Sequence, residues 1–179
     1  MLHKKQKTIA ISGSKDISSL GLSVIDEAER LGAFLAGKGI AVLIEANTGF
    51  AYWVAKGAYE ASGIVIGFSP AGNAQEHKQA FRLPNDVFTL IVYTGFGFAG
   101  CSQIMLKSAD ALFVGAGKAE SINDFLLGVE SKLPIGILEG NWATDEAIKE
   151  VIGKNKKDVN VVFGKNAEEL AVKILNSKS

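Results

Sequence analysis

The run Ala109-Asp110-Ala111-Leu112-Phe113-Val114 leads directly into Gly115-Ala116-Gly117-Lys118-Ala119-Glu120-Ser121. An apolar stretch, a glycine-rich turn and then a helical pattern has the order strand, turn, helix. Such a turn leaves backbone N–H groups unpaired at a helix N-terminus, where they hold an anion, most often a phosphate. Glycines let a ligand approach the backbone closely. Gly115, Ala116, Gly117, Lys118 and Ser121 are therefore candidate phosphate contacts. The spacing is not that of a P-loop, and Glu120 stands where a dinucleotide fingerprint needs its third glycine. Asp124, one turn into the helix, is the candidate acid or base. Its alternative role is a solvated residue favoured by the helix dipole.

Three further turns carry polar or aromatic groups. In Ser12-Gly13-Ser14-Lys15 the hydroxyls, N–H groups and lysine can bind a phosphate or a ribose, and the alternative is a solvated turn that needs its glycine. Glu45-Ala46-Asn47-Thr48-Gly49 adds Gly49 as a candidate contact. Asn47 or Thr48 is expected to cap the following helix, and Glu45 places negative charge where a phosphate would bind. In Thr94-Gly95-Phe96-Gly97-Phe98-Ala99-Gly100-Cys101, Phe96 or Phe98 can stack on a base, but a place in the core or a subunit interface is the stronger expectation. Cys101 reads as a buried small hydrophobe. With His3 and His77 as the only histidines, proximity in sequence suggests no Cys–His pair.

The elements that position these turns alternate along the chain. Strands are read at Thr8 to Ser12, Ile40 to Ile44, Ile64 to Phe68, Val87 to Tyr93, Ala111 to Val114, Pro134 to Leu138 and Val159 to Phe163. Between them lie helical patterns at Leu22 to Lys38, Gly49 to Ser62, a short one at Glu76 to Phe81, one ending near Ser108, then Glu120 to Ser131 and Thr144 to Ile152. Gly39 and Gly63 are expected to stop the first two helices. Thr144 or Asp145 is expected near an N-cap, and Asn166 is expected to cap a last helix that reaches Ile174 or Leu175. Short, apolar, non-alternating strands suit a sheet buried on both faces. The expected fold is a single α/β domain over residues 1–179: a three-layer, doubly wound, Rossmann-like, mainly parallel sheet of about seven strands. Ligands of such sheets bind beyond the C-terminal strand ends, at the topological switch point.

Composition bounds the function. The chain has 179 residues, which suffices for one domain with a full core. Its 19 basic and 19 acidic residues cancel, so no global field attracts nucleic acid or an anionic membrane. A single cysteine excludes an intramolecular disulfide and a cysteine-based zinc site. No metal site is expected. The basic N-terminus lacks the apolar segment of a signal peptide, and no apolar run reaches spanning length, so a cytoplasmic protein is expected.

The order and content of the turns resemble the SLOG superfamily, known best for the Lonely Guy (LOG) phosphoribohydrolases. The resemblance rests on Ile11-Ser12-Gly13-Ser14, Leu31-Gly32-Ala33-Phe34-Leu35-Ala36-Gly37-Lys38-Gly39, Gly49, Val54-Ala55-Lys56-Gly57-Ala58, Gly63 to Pro70, Lys107 to Ala111 and the Gly115 turn. Enzymes of that family carry a PGGxGTxxE turn, whose glycines bind phosphate and whose glutamate assists glycosidic cleavage. Here Val114 stands at the proline, and Gly115 and Ala116 stand at the glycine pair. The glutamate position falls on Asn123 or Asp124, the family's arginine falls near Cys101 or Ser102, and Glu45-Ala46 replaces paired glycines. The resemblance implies a binding protein for a nucleotide or other phosphorylated small molecule, without standard LOG catalysis. Cleavage of the N-glycosidic bond of a nucleoside 5′-monophosphate, with Asp124 as the acting acid, is the alternative. A molybdenum-cofactor carrier or scaffold is the second. No cofactor beyond a bound nucleotide or phosphate is implied, and a homodimer or higher homo-oligomer is, with Tyr52, Trp53, Phe96 and Phe98 as interface or core residues.

Overall fold

The inner strands, four or five mostly apolar residues each, are buried on both faces, the two edge strands only partly, and all six pairings between strands are parallel. The structure, a computed structural model, describes residues 6–16, 21–117, 120–154 and 159–177. The strands are β1 (Thr8–Ser12), β2 (Ala41–Glu45), β3 (Val65–Ser69), β4 (Leu90–Tyr93), β5 (Ala111–Val114), β6 (Ile135–Leu138) and β7 (Val161–Gly164). They form one sheet in the order β4-β3-β2-β1-β5-β6-β7. The helices are α1 (Leu22–Gly37), α2 (Phe50–Glu60), α3 (Ala74–Gln79), α4 (Gly97–Lys107), α5 (Glu120–Glu130), α6 (Ala143–Lys154) and α7 (Ala167–Asn176). The chain is thus a three-layer, Rossmann-like α/β sandwich. Its strand order reverses between β1 and β5.

Strand parity sorts the core into two clusters. Ile9, Ile11, Val42, Ile44, Ala111 and Phe113 pack with residues of α1, α2 and α7. Ala10, Leu43, Leu112 and Val114 pack on the other face with residues of α4, α5 and α6. Successive strand residues point to opposite faces, so Ser12 follows Ala10, and Glu45 follows Leu43, toward the α4/α5 side.

The helix ends show local chemistry. Gly39, at φ +67°, closes α1, with its N–H on the Ala36 carbonyl (2.9 Å) and the Ile40 N–H on that of Leu35 (3.0 Å), the paired bonds of a Schellman motif. At the end of α2 the left-handed residue is Ser62, at φ +59°, and not Gly63. Gly63 is small for a different reason: a Cβ there would lie 2.6 Å from the Ala36 Cβ and 2.9 Å from the Ala58 carbonyl oxygen. The Asn73 and Asn166 side chains cap α3 and α7, accepting from the N–H groups of Glu76 and Glu169. Thr144 and Asp145 lie in the first turn of α6, next to its cap as expected. Neither Asn47 nor Thr48 caps α2, because Gly49 occupies the cap position.

Close approach of α1 and α2 depends on two glycines. A Cβ on Gly32 would collide with the Val54 carbonyl and lie 2.6 Å from the Ala58 nitrogen, and one on Gly57 would lie 2.7 Å from the Glu29 Cα. Backbone atoms cannot move aside as a side chain tip can. Ala ordinarily stabilises an α-helix interior over Gly by about 1 kcal/mol, so the sign of the change is diagnostic. Gly32→Ala is expected to destabilise by about 1–3 kcal/mol, whereas Gly37→Ala, whose Cβ meets nothing within 4 Å, is expected to be neutral or stabilising. Thermal unfolding of the two variants checks this, and equal melting temperatures would contradict the close crossing.

Candidate functional site

The C-terminal ends of β1 and β2 bring Ser12 and Glu45 to one face, and α4 and α5 meet them there with Ser102 and Asp124. The Ser12 hydroxyl donates to Asp124 Oδ2 at 2.6 Å. The Ser102 hydroxyl contacts Glu45 Oε1 and lies 3.1 Å from the Phe98 carbonyl oxygen. Asn47 Nδ2 donates to Glu45 Oε2 at 2.7 Å, and Lys15 Nζ lies 3.6 Å from the same oxygen. The Lys15 ammonium also sits 4.1 Å from the centre of the Phe98 ring, within cation–π range. Together with Ile11, Gly13, Ala51, Ala99 and Asn123, these residues line a cleft of about 320 Å³. It opens at the C-terminal strand edge beside the switch in strand order, where ligands of such sheets bind.

Burial governs the charges of this cleft. It pushes the Asp124 carboxyl above its ordinary pKa, against the Ser12 and Ser102 hydroxyls and the Lys15 charge, which favour ionisation. It also pushes Glu45 up, and the neighbouring Asp124 charge adds to the rise, while Ser102 and Lys15 oppose it. The Cys101 thiol is pushed up to about 12 by burial and by Glu45. It donates to the Phe68 carbonyl at 3.0 Å, which makes it the inert buried hydrophobe expected from its surroundings.

The glycine turns form a second layer behind the cleft. Phe50, fully buried in the first turn of α2, lies against both of them. A Cβ on Gly13 would lie 2.7 Å from the Phe50 Cβ, and one on Gly115 would collide with the Phe50 ring. The turns are tied together by backbone bonds from Ser14 N–H to the Ala116 carbonyl (2.9 Å) and from Phe50 N–H to the Ser14 carbonyl (3.0 Å). Gly49, at φ +97°, passes so close that a Cβ would meet the Ser14 carbonyl. Gly117 faces the hydroxyls of Ser121 and Thr144, the latter 2.8 Å from where its Cβ would be. The Ser121 hydroxyl is 1% exposed and has no hydrogen-bond partner.

Of the residues singled out as contacts, Ser12, Gly13 and Asp124 line the cleft. Ser14, Gly49, Gly115, Ala116, Gly117 and Ser121 form the layer behind it, and Lys118 lies outside the described residues. Of the two positions weighed for the family's glutamate, Asp124 carries the hydrogen bond to Ser12, while Asn123 also reaches the cleft. Glu45 and Ser102 were not among the expected contacts, since their meeting depends on how α4 packs over β2. The signals available were the Glu45 charge in the turn after an apolar strand and the place of Ser102 near the family's arginine position. Phe98 stands at the cleft rim, edge-on to Phe81, while Phe96 is 71% exposed. Tyr52 and Trp53 are half-buried against the core. Among the described residues, no group of three or more His, Cys, Asp or Glu side chains is placed to hold a metal ion, and no helix is long and apolar enough to cross a membrane.

A parallel doubly wound sheet with a polar cleft at its switch point defines a Rossmann-like α/β domain. Within that class, the chain belongs to the SLOG cluster4 family, whose model matches residues 6–171. The fold is shared with TM1055, a structural genomics target known from its X-ray structure (24% identity, TM-score 0.81, 95% of this chain and 98% of that one). It is shared also with a molybdenum cofactor binding protein from Rippkaea orientalis (18%, TM-score 0.74, 94% and 96%). The molybdenum cofactor carrier protein of Chlamydomonas reinhardtii is similar as well (22%, TM-score 0.74, 97% and 100%). Among curated proteins none matches the sequence.

The raised carboxyls fix the sign of a pH effect on stability. A carboxyl whose pKa rises on folding contributes stability that is complete below its unfolded value, about 4, and is lost as pH rises through the folded value. Asp124→Asn retains an acceptor for Ser12 and removes that loss. The melting temperature of the variant relative to the native protein is expected to climb between pH 4 and pH 8. A difference that stays flat across that window in calorimetry would show that Asp124 titrates normally.

Proposed function

We propose that this chain binds a phosphorylated small molecule, a nucleotide by first preference, in the cleft at the β1/β5 switch. The observation that carries the reading is the cleft itself. Its volume suits a small ligand, and its lining combines the Lys15 cation, amide and hydroxyl side chains and an aromatic rim. In this reading Ser12, Gly13, Lys15 and Asp124 touch the ligand. Its phosphate lies against the turns of Ser14, Gly49, Gly115, Ala116 and Gly117, where Lys118 is a further proposed contact and the unpartnered Ser121 hydroxyl gains an acceptor.

Binding without LOG-type turnover is preferred because two carboxyls face the ligand and Lys15 is the one cation among the described residues that line the cleft. The rival is hydrolysis of a nucleoside 5′-monophosphate with Asp124 as acid. A second reading, a carrier whose cargo is the molybdenum cofactor, is favoured by similarity to proteins described as binding or carrying it over nearly the full length of both chains. Zero net charge speaks against nucleic acid as partner, and a cytoplasmic setting fits each reading. A homodimer is part of the proposal, with the exposed Phe96 and the neighbouring Phe98 against a second copy.

Native mass spectrometry of the protein with nucleoside mono-, di- and triphosphates and with sugar phosphates tests the main reading. A retained phosphorylated adduct is expected. A protein that takes up none of them removes the nucleotide reading, and uptake of molybdenum cofactor alone puts the carrier first. Release of free base from a monophosphate, abolished in Asp124→Asn, would establish the hydrolase. Ser121→Ala is expected to leave the unliganded melting temperature unchanged or higher, since a buried unpaired hydroxyl is lost. It is expected to weaken the adduct by about tenfold or more, the worth of a hydrogen bond to a charged group. Light scattering is expected to return twice the chain mass at micromolar concentration, and a monomer mass would remove the dimer.

A further inference from the structure

The sheet ends on one side at β4, which pairs with β3 alone. The direction of its hydrogen bonds follows from those of β3. The Ile64 and Phe68 carbonyls accept from the N–H groups of Val42 and Ala46 at 2.9 and 2.8 Å, so the even-numbered residues of that stretch face β2. Val65, Gly67 and Ser69 therefore face β4. In a parallel pair, a residue facing its neighbour bonds to the two residues that flank its register partner. Gly67 is in register with Ile91 and Ser69 with Tyr93, so the inward bonds of β4 belong to Leu90, Val92 and Thr94. The Thr94 N–H sits on the Ser69 carbonyl at 3.0 Å, as this requires. Thr89, just before the strand, closes its entry on Val65, donating its N–H to the carbonyl at 2.8 Å and accepting the Val65 N–H on its hydroxyl at 3.0 Å. The N–H and C=O groups of Ile91 and Tyr93 point out of the sheet, and no hydrogen bond from another described residue reaches them.

An open edge of this kind pairs with a further strand unless charge, proline or cover blunts it. At the opposite edge, β7 has Lys154, Lys156 and Lys157 before it and Lys165 after it in the sequence. β4 has no such guard: from Val87 to Leu106 the chain carries no charged residue, no histidine and no proline. Its surroundings are apolar instead. Leu90, on the strand, is 56% exposed, and Phe96, just beyond it, is also open to solvent.

The outward groups define what fits them. In an antiparallel pair, two opposed residues exchange both of their backbone bonds. A second β4, turned about a two-fold axis at Val92, sets Ile91 against Tyr93 of the other copy and Tyr93 against its Ile91. Every outward group of both strands is then used. Val92 meets its own copy across the axis, where a charged residue would repel itself and an apolar one packs. Leu90 falls opposite Thr94 of the other copy, which carries the exposed Phe96 of that copy toward it. The same strand meets this register with full two-fold symmetry, the commonest arrangement of identical chains.

We propose that β4 pairs antiparallel with β4 of a second copy about Val92, joining two seven-stranded sheets into one. This rests on the homodimer of the proposed function and names its surface, and it does not depend on what the cleft binds. It also ties the dimer to the cleft, since α4 follows β4 closely and gives Phe98, Ala99 and Ser102 to the cleft wall.

Light scattering of the full chain over a dilution series, for the native protein and Leu90→Lys, tests the surface. The Leu90 side chain is largely in solvent, so the variant is expected to melt as the native protein does. The midpoint of dimer dissociation is expected to rise about tenfold or more, because the altered cross-strand pair occurs twice and lysine guards the edge. An unchanged midpoint overturns the β4 pairing and leaves the dimer standing. A native protein that is monomeric throughout removes dimer and pairing together, while the ligand reading is decided separately by the phosphorylated adduct.

Oxidative cross-linking tests the register. Opposed residues of a non-hydrogen-bonded pair have Cα atoms about 4.5 Å apart, within disulfide reach. Val92→Cys is expected to form a covalent dimer, whereas Leu90→Cys, set off from the axis, is expected to form none. The native protein is the control, since Cys101 is buried on the Phe68 carbonyl. A dimer in which Val92→Cys stays unlinked, or in which Leu90→Cys links as readily, overturns the pairing. If Val92→Cys fails to fold, amide hydrogen exchange of the native protein decides. The Ile91 and Tyr93 amides are expected to exchange slowly in the dimer and fast after dilution to monomer, and fast exchange in the dimer overturns the pairing.

Discussion

The Phe50 ring sits in the first turn of α2 with no exposure to solvent, wedged beneath two backbone turns that have no room for a side chain. Gly13 and Gly115 are its neighbours, one from each side of the point where the strand order reverses. Its own N–H binds the Ser14 carbonyl, whose residue in turn donates to Ala116. The turns after β1 and β5 and the start of α2 are thereby a single packed unit. A buried phenylalanine is among the most strongly held side chains of a core, and shortening one typically costs about 3–5 kcal/mol. The end of β1 cannot shift without disturbing that ring, so Ser12 is held where Asp124 can accept its proton.

From this anchor the site follows by strand parity. Ser12 and Glu45 each close a strand on the α4/α5 face, because Ala10 and Leu43 lie on that face two residues earlier. A polar residue at such a position would ordinarily be solvated. Here α4 and α5 cover it, and the polar groups must satisfy one another. The result is two buried carboxyls, each held by a serine hydroxyl, in a protein whose other described strands are apolar except at their ends. Groups of this kind, buried beside a cleft with raised proton affinity, concentrate at functional sites.

The fold was largely legible in the sequence, and the reason is physical. Apolar runs of four or five residues without alternation are too short for helices and suit strands covered on both faces, and each is separated from the next by a helical pattern. The sequence does not show three-dimensional crowding. Gly63 looks like a helix stop, yet Ser62 takes the left-handed conformation while Gly63 yields space to Ala36. Asn47 and Thr48 look like caps, yet Asn47 serves Glu45 and Thr48 donates to the Lys15 carbonyl. The fourth strand begins at Leu90, three residues later than its apolar run, because only Leu90–Tyr93 pair with β3. At the site, Ser12, Gly13 and Asp124 were readable from turn position alone. Glu45 was readable as a charge but not as a partner, since its contact with Ser102 needs the register of a helix more than fifty residues away.

The same burial sets the charge of the site. Desolvation raises the proton affinity of both Asp124 and Glu45, and the Asp124 charge adds to the rise at Glu45, while the serine hydroxyls and the Lys15 ammonium act against it. Taking a carboxylate out of water is costly unless donors replace the lost hydration. Ser12 serves Asp124, and Asn47, Ser102 and Lys15 serve Glu45. The polar groups at the ends of β1 and β2 are thus what lets two acids be covered by α4 and α5 at all.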